Sequence, residues 1–399
     1  MDNEYCKHCW PTKRRNHVVP HVEFFIEKTL RPVEWLVDLV QGSPLSRLQP
    51  YISRALVGLF SVLRIVRFES EVDETQFHNR SLIFFQEARR RGLDIAAMKV
   101  FGRYVNEFRL RYDGKTYLYE GIPLKIRDYP VIDLDDKPTA KKFLKKHGVP
   151  VAKGGHFLSA KKALRYGREL GFPLVVKPSG GSLSYHTTLD INSDEDLARA
   201  IGVAKQYRPD IIVERFVDGH LYRASVIGRQ GVFVCRKRRA HVVGDGHSTI
   251  AELIERKNHH PLRGATQQKN TTLHEIPLDD ALQHNLEAQD LTLQSVSAAD
   301  QTVFLQQKYV LSHGCDIIGA TEQTHPKNQE LFRRIAELLN TNLVGIDVIC
   351  ADISQPYTEQ KFAVLETNSL PYIDMHQFPS HGEPDPVAAQ VWDMVLAQI

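Results

Sequence analysis

Apolar positions recur at two different periods along the chain, and the alternation between them predicts its elements. "SDEDLARAIGVAKQY" and "NQELFRRIAELLN" repeat their apolar residues at helical spacing. Ser193 opens the first of these, with acidic residues in its first turn, as a capped helix requires. "SAKKALRYGRELG" is a helix closed by Gly171. In "PVIDLDDKPTAKKFLKKHGVPV", Asp135 or Asp136 caps a helix that runs through Lys146, with Gly148 at its end and Pro150 as the stop. Between these helices lie short strand patterns: "FPLVVKP", "DIIVERFV", and "LYRASVIGRQGVFVCRKRR", a pair joined near Arg229–Gly231. "VGIDVICADI" and "KFAVLETN" are strands that end in carboxylates. From Val151 onward strands and helices alternate, without an internal repeat or low-complexity tract.

The N-terminal part is patterned differently. Residues 72–127 predict a small α/β unit: a helix ending at Gly92, then "AAMKVFG" and "EFRLRYDGKTYLYEG", with Asp113-Gly114 as a hairpin turn. Residues 1–71 hold two apolar-rich helical patterns, around Val22–Val40 and Ile52–Val66. Trp35, Leu36, Leu39 and Val40 repeat at the spacing of a packed helix face. Arg47, Arg54, Arg64 and Arg67 flank the second pattern and would suit a helix lying on a membrane surface, but core packing is the favoured reading. "CKHCW" supplies Cys6 and Cys9, which with His17 and His21 make a zinc set on paper. Their spacing is shorter than in the usual finger and no second CxxC follows, so a solvated tail is favoured. The expected division is therefore 1–71, an N-terminal helical extension; 72–127, the small α/β domain; and 128–399, the main domain.

Composition narrows the class. At 399 residues, 42% hydrophobic and 25% charged, the chain is a soluble globular protein of more than one domain. A net charge of +3 gives no reason to expect a nucleic-acid partner. Five scattered cysteines suit a reducing compartment. The polar N-terminus lacks the apolar core of a signal peptide, and "ALVGLFSVLRIV" is too short and too interrupted to span a bilayer. A cytoplasmic protein without membrane association is expected.

Three clusters could carry chemistry. Lys177 ends an apolar strand just before Ser179-Gly180-Gly181-Ser182, where glycines let backbone N–H groups approach a polyphosphate and a lysine adds a point charge. No GK[ST] follows, so this is not a Walker A loop. Asp347, Glu366 and Asn368 lie at strand ends, and Glu366 and Asn368 share a face. Two carboxylates and an amide oxygen suit magnesium. "IIVERFVDG" runs from strand into a polar turn whose backbone could meet a purine edge. Each pattern is common by itself; their order and spacing together are not.

Those phrases, with "DKPTAKKFLKKHGVPV", "AHVVGDGHSTIAELI", "LTLQSV", "VLETNSLP" and "MHQFPSHGEP", resemble the ATP-grasp carboxylate–amine ligases, most closely the ATP-grasp module of cyanophycin synthetase and of bifunctional glutathione synthetases. The resemblance runs from about Val131 to the C-terminus. It implies an ATP-grasp fold of two α+β subdomains, with residues 72–127 as the small domain that precedes it. It makes Lys141 and Lys177 the lysines that contact ATP phosphates, and Glu214, Arg215, Phe216 and Val217 the hinge that holds adenine, through Glu214 or the backbone. Gly180, Gly181 and Ser182 belong to a glycine-rich lid over residues 179–187. Asp347, Glu366 and Asn368 would hold Mg2+, with Mn2+ as a substitute, and Arg223 would face the phosphates or an acyl-phosphate. Catalysis would rest on Lys177 and Arg223.

Several positions depart from the family pattern. Ser184 and His186 replace glycines of the lid, Leu221 stands where an acidic residue is common, Gln306 and Val310 replace an Arg and an Asn, and Asp374 replaces an Arg. The implied activity is ATP-dependent amide formation between small-molecule carboxylate and amine substrates, an amino acid or small peptide among them, in a protein that could form a homo-oligomer. The chain carries no Mur-ligase-type domain after "VAAQVWDMVLAQI", so a one-step ligase is expected rather than a two-residue polymerase. The competing readings are a catalytically silent ATP-binding module and a membrane-surface or scaffold protein acting through residues 1–71.

Overall fold

The computed structural model describes residues 17–25, 60, 65–123, 130–181, 184–266 and 268–399. Cys6, Cys9, Ser182 and most of the two apolar patterns before residue 65 lie outside these residues, so the zinc and membrane-surface readings do too.

The first sheet has four antiparallel strands in sequence order, β1 (Val66–Glu69), β2 (Asp94–Val100), β3 (Arg103–Tyr112) and β4 (Lys115–Glu120). β1 falls in the segment that sequence assigned to the extension, yet it pairs along its length with β2. Asp113 and Gly114 both have positive φ, 48° and 69°, which is the geometry a two-residue hairpin demands. Helix α1 (Asn79–Arg90) covers this sheet, and the last helix of the chain shares its core. Trp392 of that helix is fully buried and donates its indole N–H to Phe84 O at 2.9 Å.

Two larger layers follow. Helix α2 (Lys137–Lys146) starts at Asp136, whose carboxylate accepts from Thr139 N. The second sheet has strand order β5-β8-β6-β7: β5 (Gly154–Phe157), β6 (Leu174–Pro178), β7 (Thr188–Ile191) and β8 (Ile211–Arg215), all antiparallel. Helices α3 (Ala160–Leu170) and α4 (Asp194–Tyr207) back it, α4 capped by Ser193 as expected. The third sheet has β9 (His220–Ile227), β10 (Gly231–Arg238), β15 (Asp316–Gly319), β16 (Leu343–Cys350) and β17 (Phe362–Asn368) in the order β15-β10-β9-β16-β17. An insertion between β10 and β15 holds β11 (His241–Val243), helix α5 (Ile250–Asn258), β12 (Arg263–Gly264), β13 (Leu273–His274), helix α6 (Asp280–Glu287) and β14 (Thr302–Phe304). Helix α7 (Pro326–Leu339) precedes β16; α8 (Asp374–Gln377) and α9 (Val387–Leu396) close the chain.

Strand alternation in the third sheet sorts its faces. Tyr222, Ala224, Val226, Val344, Ile346 and Val348 point into a core with Leu144 of α2 and Phe332 and Ile335 of α7. The opposite face therefore carries Arg223, Gly345 and Asp347, and it meets the second sheet across a cavity. Among the described residues no helix is long and apolar enough to cross a membrane.

Candidate active site

A cavity of 1580 Å3 lies between the second and third sheets and is lined by residues from both, together with residues of α1 and of the insertion. Lys177, Gly180, Gly181, Glu214, Arg215, Phe216, Val217, Arg223, Asp347, Glu366 and Asn368 all line it. Thus most of the residues expected from sequence, spread over almost 200 positions, converge on one space.

On the second sheet, Val175 pairs with Glu214 and Lys177 with Ile212. Glu214 is buried and bridges two ammonium groups: Lys177 Nζ lies 2.6 Å from Oε1, and Lys141 Nζ of α2 donates to Oε2. Burial would raise the Glu214 carboxyl, but Lys177 and Lys141 outweigh it and hold it down near 2. Lys141, buried and beside the Lys177 charge, is pushed down to about 8 despite Glu214. Lys177 is held above its ordinary value, its burial outweighed by Glu214 and Glu366. Both Glu214 carboxylate oxygens are thus paired with lysines. Arg215 N and Phe216 N are taken by Lys153 O and Pro173 O at 2.8 and 3.0 Å, and Val217 has no backbone hydrogen bond among the described residues.

The glycine-rich loop joins β6 to β7, an antiparallel pair, so the stretch is a hairpin as well as a cavity wall. A Cβ on Gly180 would lie 2.7 Å from Arg208 Nη1, and one on Gly181, at φ 91°, 2.7 Å from the Tyr207 ring. At Gly181 the loop can pass this close to the end of α4 because the residue lacks a side chain. Ser184 and His186, where the family pattern has glycines, hold φ of 54° and 49°. Both therefore hold the left-handed backbone that glycine adopts most readily. His186 is buried, its Nδ1 2.7 Å from Val203 O and its ring against Tyr207 and His17.

On the third sheet, register builds the acidic group. Asp347 on β16 is directly opposite Glu366 on β17 and Arg223 on β9. The β16–β17 register slips between Asp347 and Val348, which leaves Leu365 as an extra residue on β17. That bulge lets Val364 stay in the core behind the sheet while Leu365, Glu366 and Asn368 line the cavity. Arg223 grips Asp347 with two guanidinium nitrogens, Nη2 at 3.0 Å from Oδ2 and Nε on the other oxygen. Gly345 makes room for this arginine, since a Cβ there would sit 2.8 Å from Nη1. Burial would raise the Asp347 carboxyl, yet Arg223 and Lys237 hold it well below the usual carboxylate range.

Three participants escaped the sequence reading. Lys137 Nζ donates to Gly181 O at 2.9 Å and lies 3.6 Å from Glu366 Oε2, linking loop to carboxylates. It is held there because Thr367 donates to Leu134 O and Asp135, not a cap after all, accepts from Ser369. Lys237 lies 3.8 Å from Asp347. Arg80 lines the cavity from α1, its guanidinium 4.7 Å above the Tyr372 ring. Lys137 sat inside a helix-start pattern, Lys237 inside a basic strand, and Arg80 in another domain, so no local signal marked them.

The donor set Asp347, Glu366 and Asn368 fits a hard divalent cation: two carboxylates and a carboxamide, which would coordinate through its oxygen, share one sheet face.

Residues 143–249 match the family "D-ala D-ala ligase C-terminus". The chain is 36% identical over 264 residues to the cyanophycin synthetase of Trichormus variabilis, covering 65% of this chain and 29% of that protein. It is 30% identical over 339 residues to the glutathione biosynthesis bifunctional protein of Mannheimia succiniciproducens, covering 83% of this chain and 44% of that protein. The crystal structure of a bifunctional glutathione synthetase from Pasteurella multocida superposes with a TM-score of 0.63 at 26% identity, over 82% of this chain and 44% of the other. The chain spans less than half the length of each of these relatives. By sequence and by fold it is a relative of the ATP-grasp ligases, with an α+β ATP-grasp core behind a small antiparallel-sheet domain.

Proposed function

We propose that the chain is an ATP-dependent carboxylate–amine ligase that acts on an amino acid or small peptide through an acyl-phosphate. The observation that carries this reading is the meeting, in one cavity, of Lys177 and Glu214, the latter also paired with Lys141 behind it, with the Asp347–Glu366–Asn368 face. The first is a pair of buried ammonium groups whose shared carboxylate a polyphosphate can replace. The second is a hard-ligand set on the facing sheet.

In this reading the hinge from Glu214 to Val217 holds the purine and the loop with Gly180 and Gly181 lies along the phosphates. Magnesium held by Asp347, Glu366 and Asn368 would neutralise phosphate charge. Lys141 and Lys177 bind and orient the phosphates, so that a substrate carboxylate oxygen attacks the γ-phosphorus and ADP leaves. The amine then attacks the acyl carbon, the phosphate departs and the amine proton goes to solvent or a nearby base. Arg223 keeps one guanidinium nitrogen, Nη1, free of hydrogen bonds while the other two grip Asp347. That nitrogen is a fixed donor for the oxyanion of the second step. A small N-terminal domain that includes Val66–Glu69, followed by the main domain, and a place in the cytoplasm fit the same reading.

The test is ATP turnover by the purified chain with paired carboxylate and amine pools. ADP and phosphate release that needs both substrates, with an amide product in the mass spectrum, is the expected result. ATP binding without amine-dependent release would replace the ligase with a silent ATP-binding module.

A further inference from the structure

Three acidic residues that line the cavity have a cation within 4 Å. Glu214 has Lys141 and Lys177, Asp347 has Arg223, and Glu366 has Lys137 within 4 Å. Asp374, at the start of α8, has no ion pair among the described residues, although it is 3% exposed and lines the same cavity. Its Oδ2 accepts from Thr272 Oγ1 at 2.7 Å, and Thr272 in turn accepts from Asn79 Nδ2 at 2.7 Å. Oδ1 is buried and takes no hydrogen bond from another residue.

The surroundings define what is missing. The Asn79–Thr272–Asp374 chain is itself buried and fixes the carboxylate between α1, the insertion and α8. Thr271, which also lines the cavity, has a buried hydroxyl without a partner. Arg80, next to Asn79, and Lys269 line the same end with positive charge. His376, two residues on, is buried and held to about 3 by burial and by Arg223 and Lys237, so it supplies no cation near neutrality. A buried carboxylate with one open oxygen is destabilising unless something positive that donates hydrogen bonds arrives. An apolar group would leave Oδ1 unsatisfied, and an anion would be repelled.

We propose that Asp374 is a specificity residue that binds a protonated nitrogen of the substrate, and that this end of the cavity therefore takes a zwitterion, an amino-bearing carboxylate, rather than a simple carboxylic acid. Asp374 grips the ammonium while Arg80 and Lys269 attract the carboxylate of the same molecule. This rests on the ligase reading for the identity of the cavity as the substrate site, but it fails or stands separately.

The test is binding to the full chain in the presence of ADP and Mg2+, using common amino acids and dipeptides, each beside its deaminated carboxylic acid. Wild type should bind one or more of the amino compounds at least tenfold more tightly than the deaminated partner. Asp374→Asn, which keeps an acceptor for Thr272, should lose about tenfold to a hundredfold of that affinity, the size of a charge-assisted hydrogen bond. Its ADP affinity should not change, which also reports that it is folded. Equal binding of amino and deaminated compounds by wild type would overturn the proposal without needing the variant, as would the absence of binding by any amino compound. Equal affinity in Asp374→Asn would overturn it too. Failure of the ligase reading looks different: zwitterion binding that depends on Asp374, with no ATP turnover for any substrate pair.

Discussion

Lys177 Nζ lies 2.6 Å from Glu214 Oε1, inside a cavity wall where the other Glu214 oxygen is held by Lys141. One carboxylate thus pairs with two ammonium groups and offsets only part of their charge. Glu214→Gln removes that charge and leaves two like charges side by side. Breaking a buried pair in this way costs about 3–5 kcal/mol. ATP brings its own negative charge to the same lysines, so it should stabilise Glu214→Gln more than wild type. Melting temperatures with and without Mg–ATP check this. Equal ATP-induced shifts in the two proteins would mean that the lysines do not meet the phosphates.

The same cluster predicts how nucleotide affinity responds to pH. Lys141 is pushed down to about 8 by burial and the adjacent Lys177 charge, so in the free protein it is charged below pH 8 and increasingly neutral above. A phosphate needs the charged form. Binding above pH 8 must therefore also protonate Lys141, and the ATP dissociation constant should weaken by up to about tenfold per pH unit there. Arg stays charged throughout, so Lys141→Arg should flatten the profile between pH 8 and pH 10 even if its affinity is lower at pH 7. Isothermal titration across that range is the measurement. A wild-type profile as flat as the variant's would remove Lys141 from the phosphate site.

How much of this was legible in sequence follows from the range of each signal. Asp113-Gly114, the Ser193 cap and the Gly171 stop are local, and each stands where its residue type demands. The strands carrying Lys177 and Asn368 near their ends were legible because an apolar run that stops at a polar residue marks a strand edge, whereas Asp347, expected at a strand end, lies inside β16, which continues to Cys350. The insertion was not: β11 to β14 have only two or three residues each, too few to display a period. The bulge at Leu365 was invisible because it depends on which partner strand lies beside β17. Lys137, Lys237 and Arg80 reach the site from separate elements, and only tertiary packing reveals that Asp374 has no ion pair among the described residues.

Ser184 and His186 share a backbone conformation but should respond oppositely to glycine. Both hold φ near +50°, where a side chain costs on the order of 1 kcal/mol relative to glycine. Ser184 is exposed, and Lys308 Nζ binds its carbonyl, which glycine keeps. Ser184→Gly should therefore leave stability unchanged or raise it by up to about 1 kcal/mol. His186 is buried, with its hydrogen bond to Val203 O and its ring on Tyr207. His186→Gly should lose about 2–4 kcal/mol through the cavity and the broken bond. Denaturant unfolding of the two variants checks the pair. Destabilisation of equal size in both would mean that backbone conformation, not side-chain packing, sets this loop.

Asp374 predicts a variant that gains stability while losing function. Burial raises its carboxyl to about 6, only partly offset by the Thr272 hydrogen bond and by the facing charges of Arg80 and Arg223. In the unfolded chain the same group titrates near 3.8. Between these values the folded protein binds the extra proton, so stability falls as pH rises from about 4 to 6, and the loss is fully present at pH 7. Asp374→Asn has no charge to bury. Without substrate it should be more stable than wild type at pH 7 by up to about 3 kcal/mol, and the difference should shrink towards zero below pH 4. Neighbouring groups titrate equally in both proteins, so the difference isolates Asp374. An Asn variant that is less stable than wild type at pH 7 would mean that the carboxylate already has its counter-charge within the fold, and that no substrate nitrogen is needed to supply one.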